Sequence, residues 1–159
     1  MRLFFYGTLL DDDIRRLVLG RALDAALRPA LLRHFRRVYV AGRPYPMILP
    51  HRGGAVQGAI AERLGRDELD RIQNYEGDSY RLERQMVLPL DGASGESGAA
   101  VAAWLFRGAG ATRASTRPWD LADWQAKEKA AFSRALRQAA SAEAAAALAH
   151  GGPGSRAKS

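Results

Sequence analysis

Leu3-Phe4-Phe5-Tyr6-Gly7-Thr8-Leu9, residues 3–9, is a short apolar run broken by a glycine and followed closely by Asp11-Asp12-Asp13. An apolar run this short, bounded by a turn residue, reads as a buried strand. The acidic cluster then opens a helix over Asp11 to Leu19, with Ile14, Leu17 and Val18 at helical spacing and Gly20 as its stop. A glycine ending a buried strand lets the backbone turn sharply and present successive N–H groups. Such a loop can bind a carboxylate or an oxyanion. Taken alone, it reads equally as a plain strand-to-helix turn.

Downstream, the pattern alternates between strand and turn. Ala30 to Ala41 reads as a strand with several arginines on one face, and Gly42-Arg43-Pro44-Tyr45-Pro46 as a bend. Met47-Ile48-Leu49 is a separate apolar piece, His51 to Gly54 a turn, and Ala55 to Leu64 a further strand. Asp67 to Tyr75 is a short helix, capped by Asp67 and ended by Gly77. Glu83 to Leu90, with Met86, Leu88 and Leu90 on one side, forms a hairpin with Ala99 to Phe106 across a flexible connection at Asp91 to Gly98. Gly108 to Arg117 is loop-like. Pro118 and Asp120 then start one long helix whose apolar stripe includes Trp124 and Phe132. That stripe can pack on its own barrel or on a second subunit, so a homodimer stays open. About six strands and three helices give an α+β fold, with a curved sheet or small barrel and helices packed on it. Residues 1–140 are expected to form one domain, with a core over 1–107, a C-terminal helix over about 119–148 and a disordered tail at 150–159.

Composition removes several kinds of chemistry. The chain has 159 residues and no cysteine, which excludes disulfides, thiolate metal sites and cysteine nucleophiles. Its three histidines, His34, His51 and His150, are not at metal-ligand spacing from one another. No apolar run approaches the roughly 18 residues of a membrane span, and the opening residues are too short for a signal peptide, so a cytoplasmic protein is expected. The net charge of +7 invites a nucleic-acid reading. Against it, nearly all the cations are arginine in a chain rich in alanine and glycine, a pattern of genome-wide composition bias. The cluster Arg33-His34-Phe35-Arg36-Arg37 falls in a strand whose alternate residues face solvent. Nucleic acid is therefore disfavoured as a partner.

Glu76 carries the most chemical information. Leu69, Ile72 and Glu76 lie at i, i+3 and i+7, so the carboxylate shares the apolar face of its helix. It also sits at the helix C-terminus, the negative end of the dipole. Burial and dipole both disfavour the charged form and raise its pKa. A general base works best with a pKa near the operating pH. In the bland alternative the last turn frays and Glu76 sits in water. Asp67, Glu68 and Asp70 read as solvated charges. Tyr45, Tyr75 and Tyr80 are candidates for a pocket wall, Tyr75 reading more as core packing. Trp104, Trp119 and Trp124 read as core or helix anchors, and Arg43 and Arg81 as solvated charges able to attract an anion.

Four segments together resemble one family. Tyr6-Gly7-Thr8-Leu9 resembles the N-terminal loop of the γ-glutamylcyclotransferase-like family. Asn74-Tyr75-Glu76-Gly77-Asp78-Ser79-Tyr80-Arg81 resembles its aromatic-Glu-Gly segment. Gly42-Arg43-Pro44-Tyr45-Pro46 and Val56-Gln57-Gly58 resemble its middle blocks. The resemblance covers roughly residues 1 to 107. It implies a compact, mixed, mostly antiparallel β-barrel with flanking helices and a cavity at one end. It also implies cleavage of a small-molecule γ-glutamyl amide to 5-oxoproline and a free amine, with no metal or cofactor. By the same resemblance Glu76 is the catalytic acid, Tyr6, Gly7, Thr8 and Leu9 grip the substrate carboxylate, and Tyr80 is the downstream tyrosine. The arginine-rich strand and the Trp-bearing C-terminal helix are less typical, which leaves the outer wall of the cavity open. The alternatives are a non-catalytic module that binds a γ-glutamyl or other carboxylate ligand on the same fold, and a basic RNA- or partner-binding domain.

Overall fold

A computed structural model of the chain describes residues 1–21, 23, 27–90 and 98–150. The connection expected at Asp91 to Gly98 and the expected C-terminal tail lie almost entirely outside the described residues. The chain begins with β1 (Leu3–Phe5), a 3₁₀ turn (Thr8–Leu10) and α1 (Asp12–Leu19). A long hairpin follows, of β2 (Leu27–Val40) and β3 (Pro46–Ala61), then α2 (Arg66–Glu76). A second hairpin, β4 (Tyr80–Pro89) and β5 (Val101–Gly108), leads to β6 (Ala114–Pro118), α3 (Leu121–Lys127) and α4 (Lys129–His150).

The strands run in the order β3-β1-β5-β4-β2, and β2 pairs again with β3 to close a barrel, with β6 added beside β2. β1 pairs antiparallel with β3 and parallel with β5, so the sheet is mixed but mostly antiparallel, as expected. β1 is buried on both faces, which is why its sequence is continuously apolar rather than alternating. Phe4 joins an all-strand cluster with Leu32, Ile60 and Leu105, the barrel interior. Leu3 and Phe5 join the cluster that contains Ile14, Ile72 and Trp124, where the helices cover the outside. Phe132 and Leu136 of α4 also pack on that outer cluster. No helix among the described residues is long and apolar enough to cross a membrane.

Several local expectations are corrected. His51 to Gly54 is not a turn but part of the continuous strand β3, and Met47-Ile48-Leu49 belongs to it too. The real turn lies at 41–45, closed by Val40 N–H donating to Tyr45 O at 3.0 Å. The misleading glycine pair marks a bulge: the register shifts between Arg33 and Phe35, His34 and Gly53 have φ of 64° and 80°, and Gly53 N–H donates to His34 Nδ1. α2 is capped by Gly65, not Asp67, and Glu68 is no free charge: its Oε2 accepts from Gly65 N–H at 2.8 Å. In β4 it is Val87 that faces inward while Met86 is exposed, because β4 takes its register from β5, where Val87 lies opposite Val101. Trp104 is likewise exposed. Ala114–Pro118, expected as loop, pairs with β2 at Val38 and Val40. The single long helix is broken at Glu128, whose backbone leaves the helical region (φ −124°).

The tightest contact in the barrel is between β1 and Gly58 of β3. A Cβ on residue 58 would lie 2.1 Å from Phe5 O and 2.6 Å from the Phe4 ring. Backbone oxygen cannot step aside as a flexible side chain does, so overpacking here is severe. Gly58→Ala is expected to destabilise the fold by roughly 3 kcal/mol. The check is the midpoint of urea unfolding, and an unchanged midpoint would mean that β1 and β3 are not packed this closely.

Candidate active site

All six residues singled out from the sequence line one cavity of ≈ 160 Å³: Tyr6, Gly7, Thr8, Leu9, Glu76 and Tyr80. They come from the end of β1 and its 3₁₀ turn, the last turn of α2 and the first residue of β4. Tyr45, Pro46, Tyr75, Phe106 and Phe132 also line it. A cavity of about 150 Å³ holds a molecule the size of benzene, so this one encloses a small group and not a peptide.

The loop is fixed from three sides. Where β1 parts from β3, Arg37 of β2 reaches across, and its Nη1 donates to Tyr6 O at 2.7 Å and to Gln57 O at 3.0 Å. Arg37 also lies over the Trp119 ring at 4.8 Å. It was expected on the solvent face of an arginine-rich strand; instead its guanidinium takes up carbonyls that a ladder would otherwise pair. Buried Arg15 donates from Nη1 to Leu9 O and Leu10 O, each at 2.8 Å. Thr8 Oγ1 and Tyr75 OH share a hydrogen bond of 2.5 Å. Gly7 has φ −120°, so it is required for room rather than for a left-handed turn: a Cβ would meet Pro46 Cγ at 3.1 Å. Within the described residues the N–H groups of Gly7, Thr8 and Leu9 make no backbone hydrogen bond, and all three residues line the cavity.

The tyrosines hold the walls together. Tyr6 OH donates to Phe106 O, and Tyr80 OH donates to Pro46 O at 2.9 Å. Tyr75, expected as core packing, forms part of the cavity wall as well as bonding Thr8. Burial pushes all three phenols above their usual range, with Glu76 adding to each. None of them is an acid near neutral pH.

Glu76 is different. The residue is half-buried, but its carboxyl is enclosed by the cavity walls, and burial raises its pKa from the usual 4.5 to about 8. Desolvation accounts for the shift. No hydrogen bond or ion pair engages this carboxyl among the described residues. Gly77 then turns the chain out of α2 with φ 69° and ψ −171°, a conformation essentially restricted to glycine. That turn ends the helix at Glu76 and lets Tyr80 return to the same cavity. No three His, Cys, Asp or Glu side chains are grouped to hold a metal ion among the described residues.

Comparison with known proteins identifies the family and the fold. The model of the family described as "Gamma-glutamyl cyclotransferase, AIG2-like" matches residues 3–126. The chain belongs to this family. Among curated relatives, AIG2-like protein D of Arabidopsis thaliana is 36% identical over 88 residues, which is 55% of this chain and 57% of the relative. The chain spans about half the length of the curated relatives it matches. The solution structure of an Arabidopsis thaliana protein superimposes with a TM-score of 0.59 at 23% identity, covering 89% of this chain and 91% of that one. A structure titled gamma-glutamyl cyclotransferase superimposes with a TM-score of 0.50 at 14% identity over 86% of each chain. These superpositions show the shared cyclotransferase fold.

Sequence reasoning missed Arg37, Phe106 and Phe132. Phe132 was visible as part of the helical stripe, but nothing local says that this stripe reaches the cavity.

The raised pKa of Glu76 has a consequence for stability. The unfolded chain releases this proton near 4.5 and the folded chain near 8. The native state is therefore favoured in full at low pH and loses stability as pH rises through that interval. Glu76→Gln is expected to melt with wild type at pH 5 and above it at pH 9. Parallel melting curves over the whole range would mean that water reaches the carboxyl.

Proposed function

We propose that this chain is a γ-glutamylcyclotransferase that cleaves a small-molecule γ-glutamyl amide to 5-oxoproline and a free amine, without cofactor or metal. One observation carries the reading. A carboxyl with a pKa near 8 and no partner among the described residues shares a small cavity with the N–H groups of Gly7, Thr8 and Leu9, which make no backbone hydrogen bond there.

The reaction is an internal aminolysis. The substrate's α-nitrogen attacks its own γ-carbonyl carbon, a C–N bond forms, and the original amide C–N bond breaks. Tethering supplies a large effective concentration, so no protein nucleophile is needed. What remains is proton transfer. The bound α-ammonium favours the ionised form of Glu76, because an opposite charge offsets desolvation. Glu76 takes one proton from that ammonium and gives it to the leaving amine nitrogen as the amide bond breaks. It then accepts the second proton from the ring nitrogen and passes it to the released amine or to solvent, one group serving as base, acid and base again. The N–H groups of Gly7, Thr8 and Leu9 hold the substrate carboxylate or the developing oxyanion. Tyr80 and Tyr45, with ring centroids 6.4 Å apart, flank the substrate. The cavity accommodates the glutamyl portion, and the amine points outward through the mouth.

Glu76→Gln keeps shape and removes the proton acceptor, so kcat for 5-oxoproline release should fall by about a thousandfold or more. The assay covers γ-glutamyl amino acids, γ-glutamyl-lysine isopeptide and glutathione. Near-normal turnover in the Gln variant would overturn the role of Glu76. Binding of these compounds by wild type without release of 5-oxoproline would make the chain a binding module on this fold.

A further inference from the structure

The family match ends at residue 126, yet the cavity does not. Phe132, in the first turns of α4, forms part of its wall beside the loop and Glu76. Its ring packs edge-on against Trp124, with centroids 5.4 Å apart, and Trp124 is fully buried. Trp124 Nε1 donates to Pro44 O at 2.7 Å, just before Tyr45 and Pro46 enter the cavity wall.

The other end of the segment grips the opposite wall. Asp11 directly follows the 3₁₀ turn that ends the substrate-binding loop and is 1% exposed. Its Oδ1 accepts from Asp13 N and Ile14 N to cap α1. Its Oδ2 accepts from Gln125 Nε2 at 2.8 Å and pairs with Lys129 Nζ at 2.9 Å. Lys129 also meets Asp13 at 2.7 Å. The break at Glu128 lets α3 and α4 take different directions, so that one short segment touches both Pro44 and Asp11.

We infer that Phe132 closes the active-site cavity against water, and that Lys129 is the positioning residue that seats this wall on the substrate-binding loop. The apolar ring matters because the chemistry depends on a dry carboxyl. The titratable groups that line the cavity with Glu76 are Tyr6 of the loop after β1, Tyr45 of the β2–β3 turn, Tyr75 of its own helix and Tyr80 of β4, and burial raises the phenols of Tyr6, Tyr75 and Tyr80. From α4 it meets no charge at the cavity, only Phe132. Shortening that ring enlarges the cavity and admits water, which hydrates the carboxylate and lowers its pKa.

Two readouts separate this role from simple packing. The first is the titration of Glu76 by ¹³C NMR of side-chain carboxyls, with its resonance assigned by its absence in Glu76→Gln. Phe132→Ala should move the midpoint down by about one unit or more, and Phe132→Leu by less. Lys129→Met should move it in the same direction, and Lys129→Arg should restore it. The second is kinetic: kcat should fall about tenfold in Phe132→Ala with KM less affected. An unchanged midpoint in folded Phe132→Ala or Phe132→Leu would overturn the role of Phe132. An effect of Lys129→Met that Lys129→Arg does not rescue would overturn the role of Lys129. The kinetic readout presupposes the cyclotransferase reading, whereas the titration does not. A shifted midpoint in a protein that releases no 5-oxoproline would therefore count against the activity and for the wall.

Discussion

Leu3–Phe5 is hydrogen-bonded on one side to Ala59–Ala61 of β3 and on the other to Trp104 of β5. These three residues join the two hairpins, and without them β3 and β5 would present unpaired edges. The strand can occupy this place because Gly58 leaves no Cβ where Phe5 O passes. The Tyr6–Leu9 loop is the direct continuation of the strand. Its position is thus a by-product of barrel closure, and the cavity inherits the rigidity of the best-buried part of the sheet.

Around that loop the polar groups are almost all engaged with one another. Arg37 and Arg15 take up its carbonyls, Thr8 bonds Tyr75, Tyr6 bonds Phe106 and Tyr80 bonds Pro46. Groups that satisfy each other in this way hold their geometry without a ligand, the condition for preorganised electrostatics. Among the described residues, the N–H groups of Gly7, Thr8 and Leu9 and the Glu76 carboxyl stand outside this network. A site is defined here by what the network omits. On the proposed function, these are the groups that meet the carboxylate and the ammonium of the substrate.

The sequence made part of this legible and left the rest hidden for physical reasons. The buried strand, the glycine, α1 with its Gly20 stop and the β4–β5 hairpin follow from local periodicity and turn chemistry, which act over a few residues. The apolar face of α2 placed Glu76 because helical spacing is a local constraint too. What failed depended on pairing partners distant in the chain. The register of β4 is imposed by β5, so Val87 and not Met86 faces inward. The bulge at His34 and Gly53 looks like a turn until β2 and β3 are paired. Arg37 looked solvated because nothing near it in sequence reveals the carbonyls of Tyr6 and Gln57. Phe132 lies more than fifty residues after Glu76, and only tertiary packing brings the two to one cavity.

The pairing of residue 3 with residue 104 also bears on the order of events as the chain folds. β2 and β3 can zip up locally, and so can β4 and β5, but β1 gains its parallel neighbour only after most of the chain exists. Such distant contacts carry a large loop-closure cost and slow folding. In vectorial synthesis β1 emerges before either of its partners and waits with two apolar faces uncovered, a state prone to association. Tyr6 then needs Phe106 and the cavity needs Phe132 before either is complete. The pocket is consequently incomplete until Phe106 and Phe132 exist, although its Tyr6–Leu9 loop is made well before them.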